Sequence, residues 1–180
     1  MHRLLPFTEG SGRRIASPTT ETIMRLFAME AEGVYRAATK AEVRAAALQA
    51  LKLPQRKPMT SPQLVKDHLT VLLGDLDHEV FGVILLDSQN GVLGYHELFR
   101  GTLNQAAVYP REVVKLALTE GAAAVILTHN HPSGLPEASQ ADQALTTVIK
   151  DALRLIDVRV LDHIIVAADT TMSFAERGLL

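Results

Sequence analysis

The chain of 180 residues contains no cysteine. It therefore cannot form disulfides, which is compatible with a reducing compartment, and it cannot build the Cys-x-x-Cys zinc site of base deaminases. The first residues lack the apolar core of a signal peptide, and no apolar run approaches membrane-spanning length. These absences lead us to expect a cytoplasmic protein without a membrane partner.

Charge is distributed unevenly along the chain. Residues 1–57 hold ten Lys/Arg against five Asp/Glu, a net of +5, whereas residues 58–180 hold eight against fifteen, a net of −7. We therefore predict a helical, basic N-terminal extension at 1–57, followed by one domain at 58–180. Two interpretations fit the basic segment, a surface for nucleic acid or an acidic partner and a solvated helical appendage, and the second is favoured.

Apolar periodicity and turn residues predict an α/β pattern with a mixed sheet. An Asn-Gly pair at 90–91 predicts a hairpin between two of the strands. The predicted helices lie near 20–31, 40–51, 61–73, 110–120 and 140–156. The predicted strands lie near 79–86, 91–99, 122–127, 158–167 and 171–174. An extended arm is predicted at 1–19 and a linker at 54–58.

The motif that carries most chemical information combines two histidines and an aspartate. His129 and His131 are separated by one residue, and Asp142 follows shortly downstream. In an extended chain, side chains at i and i+2 project to the same side, so both imidazoles can face one ion while Asn130 points away. Two imidazoles and a carboxylate supply three ligands and leave a fourth position open, as in catalytic zinc sites.

The flanking residues predict a strand, a ligand-bearing loop and then a helix. An apolar run ends just before His129, a Pro- and Gly-containing segment follows, and an amphipathic stripe begins after Ser139. Ser139 and Asp142 also have a simpler interpretation, because Ser-x-x-Asp at a helix start is close to a capping box. The two roles are compatible, since a capped helix can still carry a metal ligand.

The stretch THNHPSGLPEASQAD resembles the metal motif of the JAMM (MPN-type) metalloproteases. Further stretches are similar to those of the bacterial RadC proteins, namely EVFGVILLD, ELFRGTLNQAAVYPREVVKLAL and LDHIIV. The resemblance covers roughly residues 60–180 and implies the MPN (JAMM) fold, a mixed β-sheet flanked by helices. RadC-like proteins usually carry a helix-hairpin-helix region before this domain, but its Gly-containing hairpin signature is not found in this sequence, which weakens any inherited DNA-binding role.

The same resemblance implies roles for five residues. His129, His131 and Asp142 would bind Zn²⁺. Ser139 would assist the oxyanion, a role that also suits a residue at a helix N-terminus, where free N–H groups favour negative charge. Glu79, at the start of a predicted strand, would be the general base.

Hydrolysis needs such a base whatever the family, because a proton must pass from water to the leaving amine. Glu79 precedes an apolar strand expected beside the histidine-bearing strand. Glu97 is the competing candidate, and Glu137 lies in the metal loop without neighbours that would position it.

Three further polar residues are candidates for supporting roles. Asn130 and Ser133 could contact substrate or a metal ligand. Asp162 could orient a ligand imidazole, although a plain role at a strand edge suits it equally well.

The sequence thus predicts a zinc-dependent metallopeptidase that cleaves a peptide or isopeptide bond in a peptide or protein substrate, with zinc-activated water and Glu79 as general base. The alternative is a DNA-repair or recombination accessory protein that binds nucleic acid, in line with the family's historical name. A third interpretation is a scaffold with a structural metal. No feature of the single sequence indicates the substrate or the oligomeric state.

Overall fold

A computed structural model describes residues 5–6, 26–31, 34–53, 61–101 and 108–180. The chain divides into two units, Met1–Ala50 and Leu51–Leu180. In the first unit, strands β1 (Leu5–Pro6), β2 (Leu26–Ala31) and β3 (Val34–Ala37) form an antiparallel sheet in that order. Helix α1 (Lys40–Ala50) follows them.

The helix predicted near 20–31 is wrong over its described part, because residues 26–31 form strand β2. Phe27 lies opposite Ala37 and Ala28 lies opposite Arg36 on β3. The segment is rich in residues with good helix propensity, and pairing with a neighbouring strand overrides that weak preference. The extension is therefore not wholly helical, although α1 confirms the helix predicted near 40–51.

Other predictions for the first part of the chain fall largely outside the described residues. Of the arm predicted at 1–19, only residues 5–6 are described, and they form β1. The linker predicted at 54–58, and with it the predicted boundary after residue 57, lies outside the described residues.

The second unit confirms the predicted α/β pattern, although the central strand continues through His129 to Asn130 and a short helix at 174–177 is not among the predicted elements. Its helices are α2 (Pro62–Leu73), α3 (Pro110–Thr119), α4 (Gln140–Arg154) and α5 (Phe174–Arg177). Its strands are β4 (Glu79–Leu86), β5 (Val92–Gly101), β6 (Ala124–Asn130), β7 (Arg159–Ala167) and β8 (Thr170–Ser173). They form one sheet in the order β5-β4-β6-β7-β8.

The sheet is mixed, as predicted. Strands β6 and β7 run parallel, and the other neighbours run antiparallel. The predicted hairpin between β4 and β5 is present: Asp87 N–H donates to Gly91 C=O at 2.9 Å, and Asn90 adopts a left-handed φ of 60°. That φ suits asparagine at a tight turn.

Helices cover both faces of this sheet. On one face α2 packs its buried residues Val65, Leu69 and Leu73 against alternate side chains of the central strands. On the other face α3 and α4 pack against the intervening side chains, with Ile149 and Leu153 fully buried.

Among the described residues, no helix is both long enough and apolar enough to cross a membrane.

Strand β6 lies at the centre of the sheet, and all seven of its residues are buried. Its side chains alternate between the two faces, so Leu127 and then His129 point toward α3 and α4, whereas Ile126, Thr128 and Asn130 point toward α2. The strand therefore delivers His129 to one defined face with little freedom to move.

Candidate metal centre

The structure brings His129 and His131 together at the end of β6. The strand ends at Asn130, but the chain stays extended for one more residue because His131 N–H donates to Val166 C=O on β7 at 2.8 Å. Residues 129 and 131 consequently project to the same side, as the spacing predicts. Their Nε2 atoms lie 2.9 Å apart.

The first turn of helix α4 places Asp142 beside the two imidazoles. Asp142 Oδ1 lies 3.2 Å from His129 Nε2, and Oδ2 lies 3.7 Å from His131 Nε2. The predicted capping box is present: Ser139 accepts from Asp142 N–H at 3.1 Å, and Ser139 N–H and Oγ–H donate to Asp142 Oδ2 at 2.8 and 2.6 Å. Asp142, the N3 residue of this capping box, is therefore also the third member of the cluster.

Behind His129 lies a buried chain of hydrogen bonds whose direction can be deduced. Thr146 Oγ–H donates to Asp142 C=O at 2.6 Å. Because a hydroxyl has only one hydrogen, Thr146 Oγ must accept from His163 Nδ1–H, which lies 2.6 Å away. His163 is fully buried, and burial, with the neighbouring imidazole of His129, holds its pKa well below the ordinary value. A neutral His163 protonated on Nδ1 leaves Nε2 as an acceptor, so His129 Nδ1–H donates to it at 2.8 Å.

His131 is held in the same tautomer by the loop. Its Nδ1 lies 2.8 Å from Leu135 C=O, and a carbonyl can only accept, so Nδ1 carries the hydrogen. In the neutral form of each ring Nε2 is then the acceptor, and both Nε2 atoms point toward each other and toward the Asp142 carboxylate. Three acceptors that converge without a hydrogen between them require a cation, either a proton or a metal ion.

The geometry of the cluster fits a metal ion. Zinc–nitrogen bonds of about 2.05 Å in a tetrahedral arrangement place neighbouring ligand atoms about 3.3 Å apart. The distances of 2.9, 3.2 and 3.7 Å between the three ligand pairs bracket that value. The group His129, His131 and Asp142 could thus hold a metal ion, with its ligand atoms all within 4.8 Å of one another.

The pKa shifts describe the cluster before a metal binds. Burial would raise the pKa of Asp142, but hydrogen bonds from His129 and His131 outweigh it and hold the pKa far below its usual range. The hydrogen bond to Asp142 is the main cause that raises the pKa of His131, and the Glu79 charge adds a smaller contribution of the same sign. The raised pKa of His131 means that the converging acceptors favour a proton on its ring when no metal is bound.

The two candidate bases lie on opposite faces of the sheet. Phe81 on β4 lies opposite His129, so Glu79, two residues earlier on the same face, lies toward His131, whose pKa it raises. Glu97 lies opposite Gly82 and shares the α2 face with Tyr95, and its carboxylate accepts from Arg100 at 2.6 Å. Glu79, and not Glu97, is therefore close to the cluster.

Asp162 does not support an imidazole. Strand alternation turns it toward the α2 face with Ile164, where it accepts from Ser173 Oγ–H at 2.6 Å and from Ala175 N–H at 3.0 Å. The support comes instead from its neighbour, His163, which sequence reasoning missed. The available signal was the alternation of β7, because the residue after Asp162 faces the same side as His129.

The other polar candidates, Asn130 and Ser133, bond to backbone groups near the cluster. The Asn130 carboxamide bonds to the backbone of the segment 78–80 and not to a metal ligand. Ser133 and Glu137 are exposed on the loop, where Ser133 Oγ accepts from Leu135 N–H at 3.5 Å.

Comparison with known proteins agrees with this geometry. The family model described as the RadC-like JAB domain matches residues 59–179. The UPF0758 protein of Methylibium petroleiphilum is 60% identical over 131 residues, which cover 73% of this chain and 59% of that protein. The UPF0758 protein of Leptothrix cholodnii is 59% identical over 129 residues, which cover 72% and 58%. The chain spans a little over half the length of these relatives, whose names state no activity.

Replacing His163 by leucine should weaken zinc binding by about 10- to 100-fold, because His129 Nδ1–H then lacks its acceptor and the ring can turn. Thr146→Val, which removes only the far end of the hydrogen-bond chain, should cost less. Competition with a chromophoric chelator measures both affinities. His68→Leu serves as the control, since His68 is a half-buried histidine on α2, at the opposite face of the sheet. Equal affinities for His163→Leu and His68→Leu would contradict the assignment.

Metal affinity should rise with pH. Asp142 is already ionised, because its pKa lies far below the ordinary value, whereas His131 keeps its proton to a pH above the ordinary 6.5. A metal ion must displace that proton, so affinity should increase about tenfold per pH unit below the raised pKa of His131 and level off above it. Isothermal titration calorimetry in buffers of different ionisation enthalpy counts the released protons. An affinity independent of pH from 5.5 to 7.5 is the contrary result.

Proposed function

This chain belongs to the RadC-like JAB domain family, and on that premise we propose that it is a zinc-dependent hydrolase of peptide or isopeptide bonds. The observation that carries the proposal is the convergence of two imidazole Nε2 atoms and one carboxylate, each fixed in orientation by further hydrogen bonds. Because the chain spans a little over half of its relatives, the substrate and partners of the whole protein belong to this proposal too.

The donor set favours zinc. Two imidazoles and one carboxylate match the three-ligand sets of catalytic zinc sites, which keep a position for a reactant. When bound by His129, His131 and Asp142, zinc would supply Lewis acidity, which polarises an amide carbonyl and makes water acidic enough to react near neutral pH.

Glu79 transfers the proton in the proposed reaction. Its carboxylate accepts a proton from the attacking water, and the water oxygen forms a bond to the amide carbon. When the carbon–nitrogen bond breaks, Glu79 donates the proton to the departing amine, and the second hydrogen of the water remains on the new carboxyl group, so the products are a carboxylic acid and an amine. The position of Glu79 on the face of β4 beside His131 supports this role.

Ser139 stabilises the charge that develops on the carbonyl oxygen. Its hydroxyl lies at the N-terminus of α4 and donates to Asp142 Oδ2 at 2.6 Å. In the proposed reaction the hydroxyl hydrogen turns toward the oxyanion, while Ser139 N–H continues to hold the carboxylate at 2.8 Å. A donor held at such a position is worth roughly 3 to 4 kcal/mol of transition-state stabilisation.

Glu79→Gln should lower kcat for amide hydrolysis by about 10²- to 10⁴-fold while leaving zinc stoichiometry at one ion per chain, because glutamine cannot carry the proton. A cleavage screen with metal-replete protein, peptides and isopeptide-linked substrates, read by amine release, measures the effect. Glu97→Gln is the matched control, since it neutralises a glutamate on the other face of the sheet and should retain activity. Loss of activity in Glu97→Gln with full activity in Glu79→Gln would exclude the assignment.

Ser139→Ala should reduce kcat by about 10²- to 10³-fold through loss of the oxyanion donor, and should also cost about 1 kcal/mol of stability through loss of the helix cap. Ser61→Ala separates the two effects. Ser61 Oγ caps α2 by accepting from Leu64 N–H at 3.3 Å and plays no part in the reaction. Steady-state kinetics and thermal unfolding of both variants make the comparison, and an equal kcat in the two would show that Ser139 is only a cap.

A further inference from the structure

The side chain of Asn130 completes the pairing of β4 with β6. The backbone register between these strands ends where Phe81 lies opposite His129. Beyond it, Asn130 Oδ1 accepts from Val80 N–H at 2.8 Å, and Asn130 Nδ2 donates to His78 C=O at 2.9 Å. The carboxamide thus repeats the donor–acceptor exchange of an antiparallel residue pair. Its orientation is determined, because only the oxygen can accept and only the nitrogen can donate.

These two hydrogen bonds hold the backbone on either side of Glu79. The His78 carbonyl belongs to the peptide group before the Glu79 Cα atom, and the Val80 N–H belongs to the peptide group after it. Anchoring both groups restricts rotation on either side of that Cα atom, at the first residue of β4, where a strand would otherwise fray. The anchor is the residue between His129 and His131, and it is only 2% exposed.

We propose that Asn130 is a positioning residue that sets the distance between the Glu79 carboxylate and the metal centre. This inference rests on the proposed function, in which Glu79 moves a proton between water and the leaving amine. A displacement of about 1 Å in such a group can cost on the order of 10²-fold in rate. The Asn130 carboxamide bonds to backbone groups on either side of Glu79, so it acts on Glu79 through the placement of β4.

Thr128 provides a matched control. It lies two residues before Asn130 on the same face of β6, is fully buried, and donates from Oγ to Ile164 C=O on β7 at 2.9 Å. Thr128→Val removes a buried side chain–backbone hydrogen bond from the same strand with little change in shape. It does so on the side away from β4, so it gives the cost of losing one such bond while Val80 and His78 keep theirs.

The experiment compares Asn130→Ala, Asn130→Asp and Thr128→Val in the full chain. Amide hydrogen exchange should show faster exchange of Val80 in Asn130→Ala than in Thr128→Val, with Asn130→Asp intermediate because it keeps the acceptor but not the donor. With Co²⁺ bound, the paramagnetic shift of the Val80 amide should change in Asn130→Ala and not in Thr128→Val.

Zinc affinity should stay within about tenfold of the wild type, since the ligands are untouched. In turnover, kcat should fall about 10- to 100-fold in Asn130→Ala with little change in KM.

The outcomes separate this inference from the proposed function. Unchanged Val80 exchange and an unchanged cobalt shift in Asn130→Ala would overturn it, as would equal kcat losses in Asn130→Ala and Thr128→Val. If the wild type binds Co²⁺ but cleaves no amide, the proposed function fails. The exchange and cobalt-shift measurements then still decide whether Asn130 places β4 relative to the metal centre.

Discussion

The centre depends on one constraint, the hydrogen bonds at the outer nitrogens of its two histidines. His163 accepts from His129, and Leu135 accepts from His131, so each imidazole directs its Nε2 atom inward. The Asp142 carboxylate faces the same point. Three acceptors this close together repel one another unless a cation lies between them. The surrounding fold keeps them in place because each group forms a hydrogen bond on its outer side.

The rest of the second unit supplies those supports. The parallel partner of β6 contributes His163 and a backbone acceptor for His131, and the two strands are buried between helices. Helix α4 contributes Thr146 and Asp142 one turn apart, so the hydrogen-bond chain from His129 ends at the backbone of the third ligand. Because Asp142 also forms the capping box, the start of α4 and the affinity for a cation depend on the same carboxylate.

Most of the fold could be predicted from local pattern. The apolar stripe of α4, the cap and proline at the start of α2, and the Asn-Gly turn after β4 each reflect a local preference that agrees with the tertiary structure. The resemblance to RadC proteins, carried by short motifs, is likewise confirmed by the family match. The helix predicted near 20–31 is wrong at residues 26–31, its described part, because short apolar runs do not distinguish a helix from a strand, and pairing between β2 and β3 decided the conformation.

The sequence alone determined which residue types could form the centre and how they are spaced, because i and i+2 positions of a strand and the cap of a helix follow from chain geometry. Only the tertiary structure decided which residues form hydrogen bonds that orient the residues of the centre. His163 lies 34 residues from His129, and Asn130 reaches back 50 residues to Val80. Contacts at such separations depend on strand order and on the face each strand presents, which no local pattern encodes.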